Sequence, residues 1–266
     1  MLLSMSSLLQ STSFQVKHQW SIPPASDIEI GDREVHVWRV RVVEEITRRD
    51  RWRALLSDDE RERADRFKFQ RDRDRFTVVR GILRTLLGQY LGREPRQVKF
   101  VYGEYGKPEL AAPLEDHPLQ FNLSHSGDMA LIAFSQEKAV GVDIEQMRAD
   151  YPCEDIVRRF FSPNEREQFN QFPDALKPQA FFHCWTRKEA FVKALGGGMA
   201  GVPLDQFTVE FRRDRPAALL QTNWVADASQ NWSFQDLQAH PEYAAAVAIA
   251  ACEVNWQYWD WGLAPQ

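Results

Sequence analysis

The sequence predicts an α+β fold made of two similar α/β halves, and three observations lead there. Short stretches that alternate apolar and polar residues, the pattern of strands, are interleaved with segments of helical period. A capping-box signal occurs twice, as Ser57-Asp-Asp-Glu-Arg-Glu62 and as Ser162-Pro-Asn-Glu-Arg-Glu167. Each is followed by a long helix, represented by Phe76-Thr-Val-Val-Arg-Gly-Ile-Leu-Arg84 and by Trp185-Thr-Arg-Lys-Glu-Ala-Phe-Val-Lys193. The two matches are offset by 105 and 109 residues, so the register holds to within a short insertion. A pseudo-twofold repeat follows, with residues 31–138 as the first half, 139–266 as the second, and a site at their junction. In this alignment Arg80 stands where Glu189 falls, so such a site would draw bases from one copy and acids from the other.

The elements can be justified in order. Residues 1–30 carry Leu2, Leu3, Leu8 and Leu9 but no basic start and no apolar run of signal-peptide length, so they read as a disordered extension. Val35 to Val42 alternates as a strand. Ser57 opens a helix, and a second runs from about Asp72 to Leu91, with Phe76, Val79, Leu83, Leu86 and Leu87 at helical spacing. Tyr102-Gly-Glu-Tyr-Gly-Lys-Pro108 is a turn-rich loop. Phe121 to Leu123, Met129 to Phe134 and Ala139 to Ile144 read as strands around a turn at Ser126-Gly127. Pro163 occupies the first position of the helix that Ser162 caps. On the helix containing Trp185, the residues Phe181, Trp185 and Val192 define a buried stripe. Phe207 to Phe211, Trp232-Ser-Phe and the apolar run from Ala244 to Cys252 supply later strands, and that run is too short to span a bilayer.

Composition narrows the function classes. A net charge of −5 argues against general nucleic-acid binding, because phosphate backbones demand a basic face. The arginines between Arg48 and Arg84 are interspersed with acids and read as solvated, salt-bridged helices. Cys153, Cys184 and Cys252 lack metal or redox spacing, which fits a reducing cytoplasm, and the scatter of the six histidines argues against a zinc site. No segment marks a membrane protein.

Chemistry concentrates in a few places. On a strand, Asp143 and Glu145 of Gly141-Val-Asp-Ile-Glu145 point to the same face. Glu189 and Lys193 lie four residues apart on a helix, at the edge of its aromatic stripe, where a carboxylate is costly unless paired or bound to a metal. Three carboxylates and a lysine on two rigid elements suit a divalent cation and a phosphate group. The plain alternatives are a surface Glu–Lys pair and a strand emerging into solvent. Ser124 and His125 offer a hydroxyl and an imidazole for a phosphate, or a nucleophile awaiting a base, although no Gly-x-Ser-x-Gly elbow is present. Lys107-Pro108 places an amine in a glycine-bounded loop.

Five motifs occur in order: Tyr105-Gly-Lys-Pro108, Asn122-Leu-Ser-His-Ser126, Gly141-Val-Asp-Ile-Glu145, Phe160-Phe-Ser162 with Glu165, and Trp185-Thr-Arg-Lys-Glu-Ala-Phe-Val-Lys193. From about Leu56 to Phe211 the series resembles the Sfp-type 4′-phosphopantetheinyl transferases. The resemblance implies their fold of two similar halves and the activity of a holo-[acyl-carrier-protein] synthase. In that reaction the phosphopantetheine of coenzyme A moves to a serine of an apo acyl or peptidyl carrier protein, and adenosine 3′,5′-bisphosphate leaves. It further implies magnesium, with manganese as substitute, on Asp143, Glu145 and Glu189, and a monomeric protein. Lys107, Pro108, Ser124 and His125 would contact the nucleotide end of coenzyme A, with His125 and Arg75 on its 3′-phosphate. Lys188 and Lys193 would hold the pyrophosphate, beside the Asp143 metal site. Glu189 would take the serine proton, and Lys193 would stabilise or protonate the leaving oxygen. A magnesium-dependent nucleoside-pyrophosphate hydrolase should show a clustered helical glutamate motif, which is absent. A non-catalytic carrier binder should have lost one of Asp143, Glu145, Glu189 or Lys193, and all four are present.

Overall fold

The computed structural model describes residues 18–23, 28–111, 118–212, 215–224 and 228–263. Strand β1 (Glu34–Arg41) leads into helices α1 (Arg49–Leu55), α2 (Asp58–Asp65) and α3 (Gln70–Leu91). A short hairpin, β2 (Phe100–Tyr102) and β3 (Pro108–Leu110), carries the glycine-rich loop. Strands β4 (Leu119–Ser126), β5 (Met129–Gln136) and β6 (Val140–Gln146) follow. After them come α4 (Glu154–Phe160), α5 (Pro163–Asn170) and α6 (Lys177–Leu195). The chain ends with β7 (Phe207–Val209), β8 (Leu219–Thr222), β9 (Ser233–Asp236), β10 (Tyr243–Ile249) and β11 (Asn255–Asp260).

These elements form four layers, because the two main sheets are apolar on both faces. The first sheet has the order β11-β1-β5-β4 and the second β6-β10-β9. Along β5, Ala130, Ile132 and Phe134 turn outward to pack under α3, while Met129, Leu131 and Ala133 turn inward. Along β10, Ala244, Ala246 and Ala248 pack under α6, while Ala245 and Val247 turn inward. The two inward faces share one core, so each half is a helix on a sheet and the halves meet sheet to sheet.

Both capping boxes form, and each is neutralised in the same way. Glu60 is fully buried and accepts Arg84 Nε at 2.6 Å, while Arg84 Nη2 donates to Ser57 Oγ at 3.1 Å. Glu165 is fully buried and accepts Lys188 Nζ at 2.7 and 2.9 Å. The cation therefore comes in both halves from the long helix, which corrects the expected repeat alignment. Arg84 corresponds to Lys188, so Arg80 is equivalent to Cys184, five residues before Glu189 and on a different face of the helix. The expected stripe on α6 also changes: Phe181, Phe182, Cys184, Phe191 and Val192 are all buried, whereas Trp185 is only partly so.

Two boundary expectations change as well. β11 pairs in parallel with β1, Trp38 opposite Trp259, so the last strand completes the first sheet and a cut at residue 138 does not separate two closed units. β1 is buried on both faces, and its free edge needs a partner for its backbone polar groups. Of the extension at 1–30, residues 1–17 and 24–27 lie outside the described residues. Residues 18–23 are held instead on β11 and on the segment after β9: Ser21 N donates to Tyr258 O at 2.9 Å, and Trp20 Nε1 to Gln238 O at 2.9 Å. Ile28 and Ile30 are buried in the first core. Among the described residues no helix is long and apolar enough to cross a membrane.

Candidate active site

The site is built where the edge strand of one sheet meets the edge strand of the other. β4 presents Asn122, Ser124 and Ser126 on one face, at period two, toward β6. Asn122 Oδ1 accepts Val142 N at 2.9 Å. Ser124 Oγ donates to Asp143 Oδ1 at 2.8 Å, and Ser126 Oγ donates to Glu145 Oε2 at 2.8 Å. Three side chains thus replace the backbone ladder, and the two acids are fixed on the junction. The turn after Ser126 rests on Gly127, whose φ of 53° is left-handed.

Helix α6 lies across this seam. Gly141 makes that possible: a Cβ there would stand 2.0 Å from Ala190 O and 2.4 Å from Ala194 N. The close approach delivers Lys193 Nζ to Asp143 Oδ1 at 2.6 Å and to Ser124 Oγ at 2.9 Å. Glu189, one turn earlier, is 9% exposed. Asp143 Oδ2 and Glu189 Oε1 are buried without a hydrogen-bond partner. Burial, and then the charge of Asp143, push the Glu189 carboxyl up to about 7. Burial followed by Asp143 also raises Glu145. Among the described residues no three carboxylate, imidazole or thiol groups enclose a metal position. The orphaned oxygens and the mutual repulsion nevertheless mark a site short of positive charge.

That imbalance has a measurable consequence. A carboxyl whose folded pKa is raised binds more protons in the native than in the unfolded state, so stability falls as pH rises from about 4.5 to about 7. Glu189→Gln removes this penalty. In metal-free buffer, its stability relative to the parent should grow by about 3 kcal/mol between pH 4.5 and pH 8. Denaturant unfolding of both proteins across that range is the measurement, and a flat difference would reject the raised carboxyl.

The remaining expected residues fall in three places. Lys107 Nζ donates to Lys193 O at 2.8 Å, capping the C-terminal turn of α6, and burial lowers its pKa. Pro108 begins β3 beside it. His125 reaches solvent at the mouth of the site; the protein packed round it lowers its pKa first, and the charges of Lys193 and Arg75 lower it further. Arg75 faces the same opening, held by Asp128 at 2.9 Å and Asp72 at 3.8 Å.

Lys188 is the exception and a correction. Its side chain is fully buried, and its ammonium is used up by Glu165 and by Phe207 O at 2.9 Å. All three protons are directed into the core of the second half, so it cannot serve a pyrophosphate. Three contributors went unassigned in the sequence. Asn122 and Ser126 were legible as polar residues in step with Ser124, and Gly141 as a glycine inside an otherwise apolar strand, a usual mark of close backbone approach.

Comparison with known proteins follows the same two-part division. Residues 48–137 match the family model described as 4′-phosphopantetheinyl transferase, N-terminal, and residues 139–248 match the 4′-phosphopantetheinyl transferase superfamily. The chain is 37% identical over 246 residues to the 4′-phosphopantetheinyl transferase HetI of Nostoc sp., covering 92% of this chain and 100% of that one. It is 30% identical to a 4′-phosphopantetheinyl transferase of Bacillus subtilis, over 77% of this chain and 91% of the relative. It is 28% identical to 4′-phosphopantetheinyl transferase Sfp of Bacillus subtilis, over 76% and 85%. A Chronobacterium ammoniagenes ACPS–CoA complex is similar over 42% of this chain and 95% of its own, with 21% identity and a TM-score of 0.33. One model covers each half, the two meet at the seam where Ser124 reaches Asp143, and a relative is matched over its whole length: the chain belongs to the Sfp-type 4′-phosphopantetheinyl transferase family.

Proposed function

We propose that this chain transfers the 4′-phosphopantetheine group of coenzyme A to a serine hydroxyl of an apo acyl or peptidyl carrier protein, releasing adenosine 3′,5′-bisphosphate. The observation that carries the reading is the seam itself. A lysine, a serine and an aspartate are hydrogen-bonded across the two sheets beside a glutamate whose oxygen has no partner.

In this reading the serine oxygen of the carrier bonds to the phosphorus that bears the pantetheine. The bond from that phosphorus to the bridging oxygen breaks, and its electron pair leaves with the nucleotide bisphosphate. Glu189 takes the serine proton. Lys193 meets the charge that develops on the leaving oxygen. Asp143, Glu145 and Glu189 present hard oxygen donors, two of them with buried oxygens still unpartnered, and so fit magnesium or manganese. Bound there, the ion would neutralise charge on the pyrophosphate. Lys107, Pro108 and Ser124 would line the nucleotide end, and His125 and Arg75 would receive the 3′-phosphate. Three free cysteines support a reducing, cytoplasmic setting, and the modest negative charge supports partners other than nucleic acid; a monomer remains what the family resemblance implies.

Incubation with coenzyme A, magnesium and a panel of apo carriers, followed by mass measurement, tests the transfer; the reading fails if no carrier gains the phosphopantetheine mass. Dephospho-coenzyme A should show a KM raised by about tenfold or more, the worth of one or two charged hydrogen bonds. His125→Ala should lose much of that discrimination. If it is unchanged, His125 is only a strand-end histidine.

A further inference from the structure

The turn between β4 and β5 is tied down from both halves of the protein. Asp128 N donates to the Tyr243 hydroxyl at 3.0 Å, and Asp128 O accepts Val42 N at 2.8 Å. One backbone group is therefore held by β10 in the second half, the other by the residue that follows β1 in the first. Tyr243 is buried, and Gly127 lies directly on it: a Cβ there would stand 2.4 Å from the phenol oxygen. Nothing larger than hydrogen fits between the turn and that ring.

Holding the Asp128 backbone on both sides fixes the point from which its side chain starts. The carboxylate itself is half-exposed, and its Oδ1 accepts Arg75 Nη2 at 2.9 Å. Asp72, about one turn back on α3, stands farther off, at 3.8 Å from Arg75 Nη1. The short bond to the turn occupies one of the several N–H donors of a guanidinium, so Arg75 is oriented without being used up. Lys188, with every proton directed at Glu165 and Phe207 O, is the contrasting case.

Two effects of opposite sign follow for an anion arriving at Arg75. The Asp128 charge repels it, but at a half-exposed position water and salt screen that repulsion. Against this, a long arginine side chain ordered beforehand need not be ordered on binding, a gain of about two- to tenfold in affinity for one such side chain. Ordering is the larger effect.

We infer that Asp128 is a positioning residue: held by the Tyr243 phenol, it sets Arg75 in place for the 3′-phosphate of coenzyme A. The assignment rests on coenzyme A being the substrate and on Arg75 receiving that phosphate. Through this turn a side chain of the second half governs a binding residue of the first.

The test measures KM and kcat with coenzyme A and with dephospho-coenzyme A for the parent, Asp128→Ala, Asp128→Asn and Tyr243→Phe. Asp128→Ala should raise KM for coenzyme A by about two- to tenfold and leave kcat within about twofold. Its KM for dephospho-coenzyme A should not change, because the group that Arg75 meets is missing. Asp128→Asn keeps an oxygen within reach of Arg75 and should restore most of the parent's KM. Tyr243→Phe keeps the ring and should move KM in the same direction as Asp128→Ala, to a smaller extent. In an Arg75→Ala background, Asp128→Ala should have no further effect.

A rise in KM for both forms alike would show a merely structural role and overturn the assignment. So would losses that add in the double variant. A lower KM for coenzyme A in both Asp128→Ala and Asp128→Asn overturns it as well, since the carboxylate would then only repel the phosphate. If Asp128→Ala does not fold, Tyr243→Phe decides, and an unchanged ratio of its two KM values overturns the assignment. A parent that does not distinguish the two forms removes the 3′-phosphate reading itself. That result differs from a parent that discriminates beside variants that do so equally, which overturns the role of Asp128 alone.

Discussion

Glu189→Gln should fold and bind coenzyme A as the parent does, yet transfer phosphopantetheine about 10²- to 10⁴-fold more slowly at every magnesium concentration. The substitution preserves volume and one oxygen, so the packing of α6 against β6 is undisturbed. It removes the carboxylate that would accept the serine proton. The residue is asked to do two jobs, and the metal titration separates them. If Glu189 only ligates an ion, excess magnesium should restore the parental rate. If it is the base, the deficit should persist at saturation. Lys193→Ala should behave differently, damaging coenzyme A binding and turnover together, because its ammonium bridges Asp143 and Ser124 at the seam. Recovery of Glu189→Gln at high metal would transfer the role of base to a water molecule.

Local sequence reports some of these features and is silent on others. The capping boxes at Ser57 and Ser162, the long helices after them and the alternation of β5 and β10 are local signals, and all were legible. The acidic pair on β6 and the Glu189–Lys193 spacing were legible too, because period two and period 3.6 fix their faces. What stayed hidden depends on distant partners. Nothing near Asn255–Asp260 announces that this strand will pair in parallel with β1, more than two hundred residues away. Lys188 sits next to Glu189 in a motif dense with charge, and only the position of Glu165 shows that it faces the core. The repeat misled for a related reason. Aligning the helices by their aromatic residues placed Arg80 opposite Glu189, whereas the shared capping glutamates place Arg84 opposite Lys188. Buried charge pairs set the register more reliably here than apolar ones, since a mispaired charge in a core costs more than a mispaired ring.

Gly141→Ala should be the most damaging single methyl in this half of the protein. The new Cβ would meet Ala190 O at 2.0 Å, Ala194 N at 2.4 Å and Lys193 C at 3.0 Å, all of them backbone atoms that no rotamer change can move. The helix must lift from the strand by about an ångström, and overpacking of this kind costs about 1–3 kcal/mol, occasionally more. For a chain of this size the thermal midpoint should fall by roughly 2–12 °C. The functional loss should be larger than the loss of stability implies. The same lift separates Lys193 from Asp143, now 2.6 Å apart, and draws Glu189 away from the acids on β6. Misplacement by about 1 Å can cost on the order of a hundredfold in rate. Gly103→Ala is the matched control, since its Cβ would meet nothing closer than 3.8 Å and should change neither stability nor turnover. Thermal unfolding and carrier modification, run on both variants below their midpoints, separate the two effects. Parental turnover in folded Gly141→Ala would show that the distance between α6 and β6 does not control the site, and the geometry of Lys193 and Glu189 would then have to be set from elsewhere.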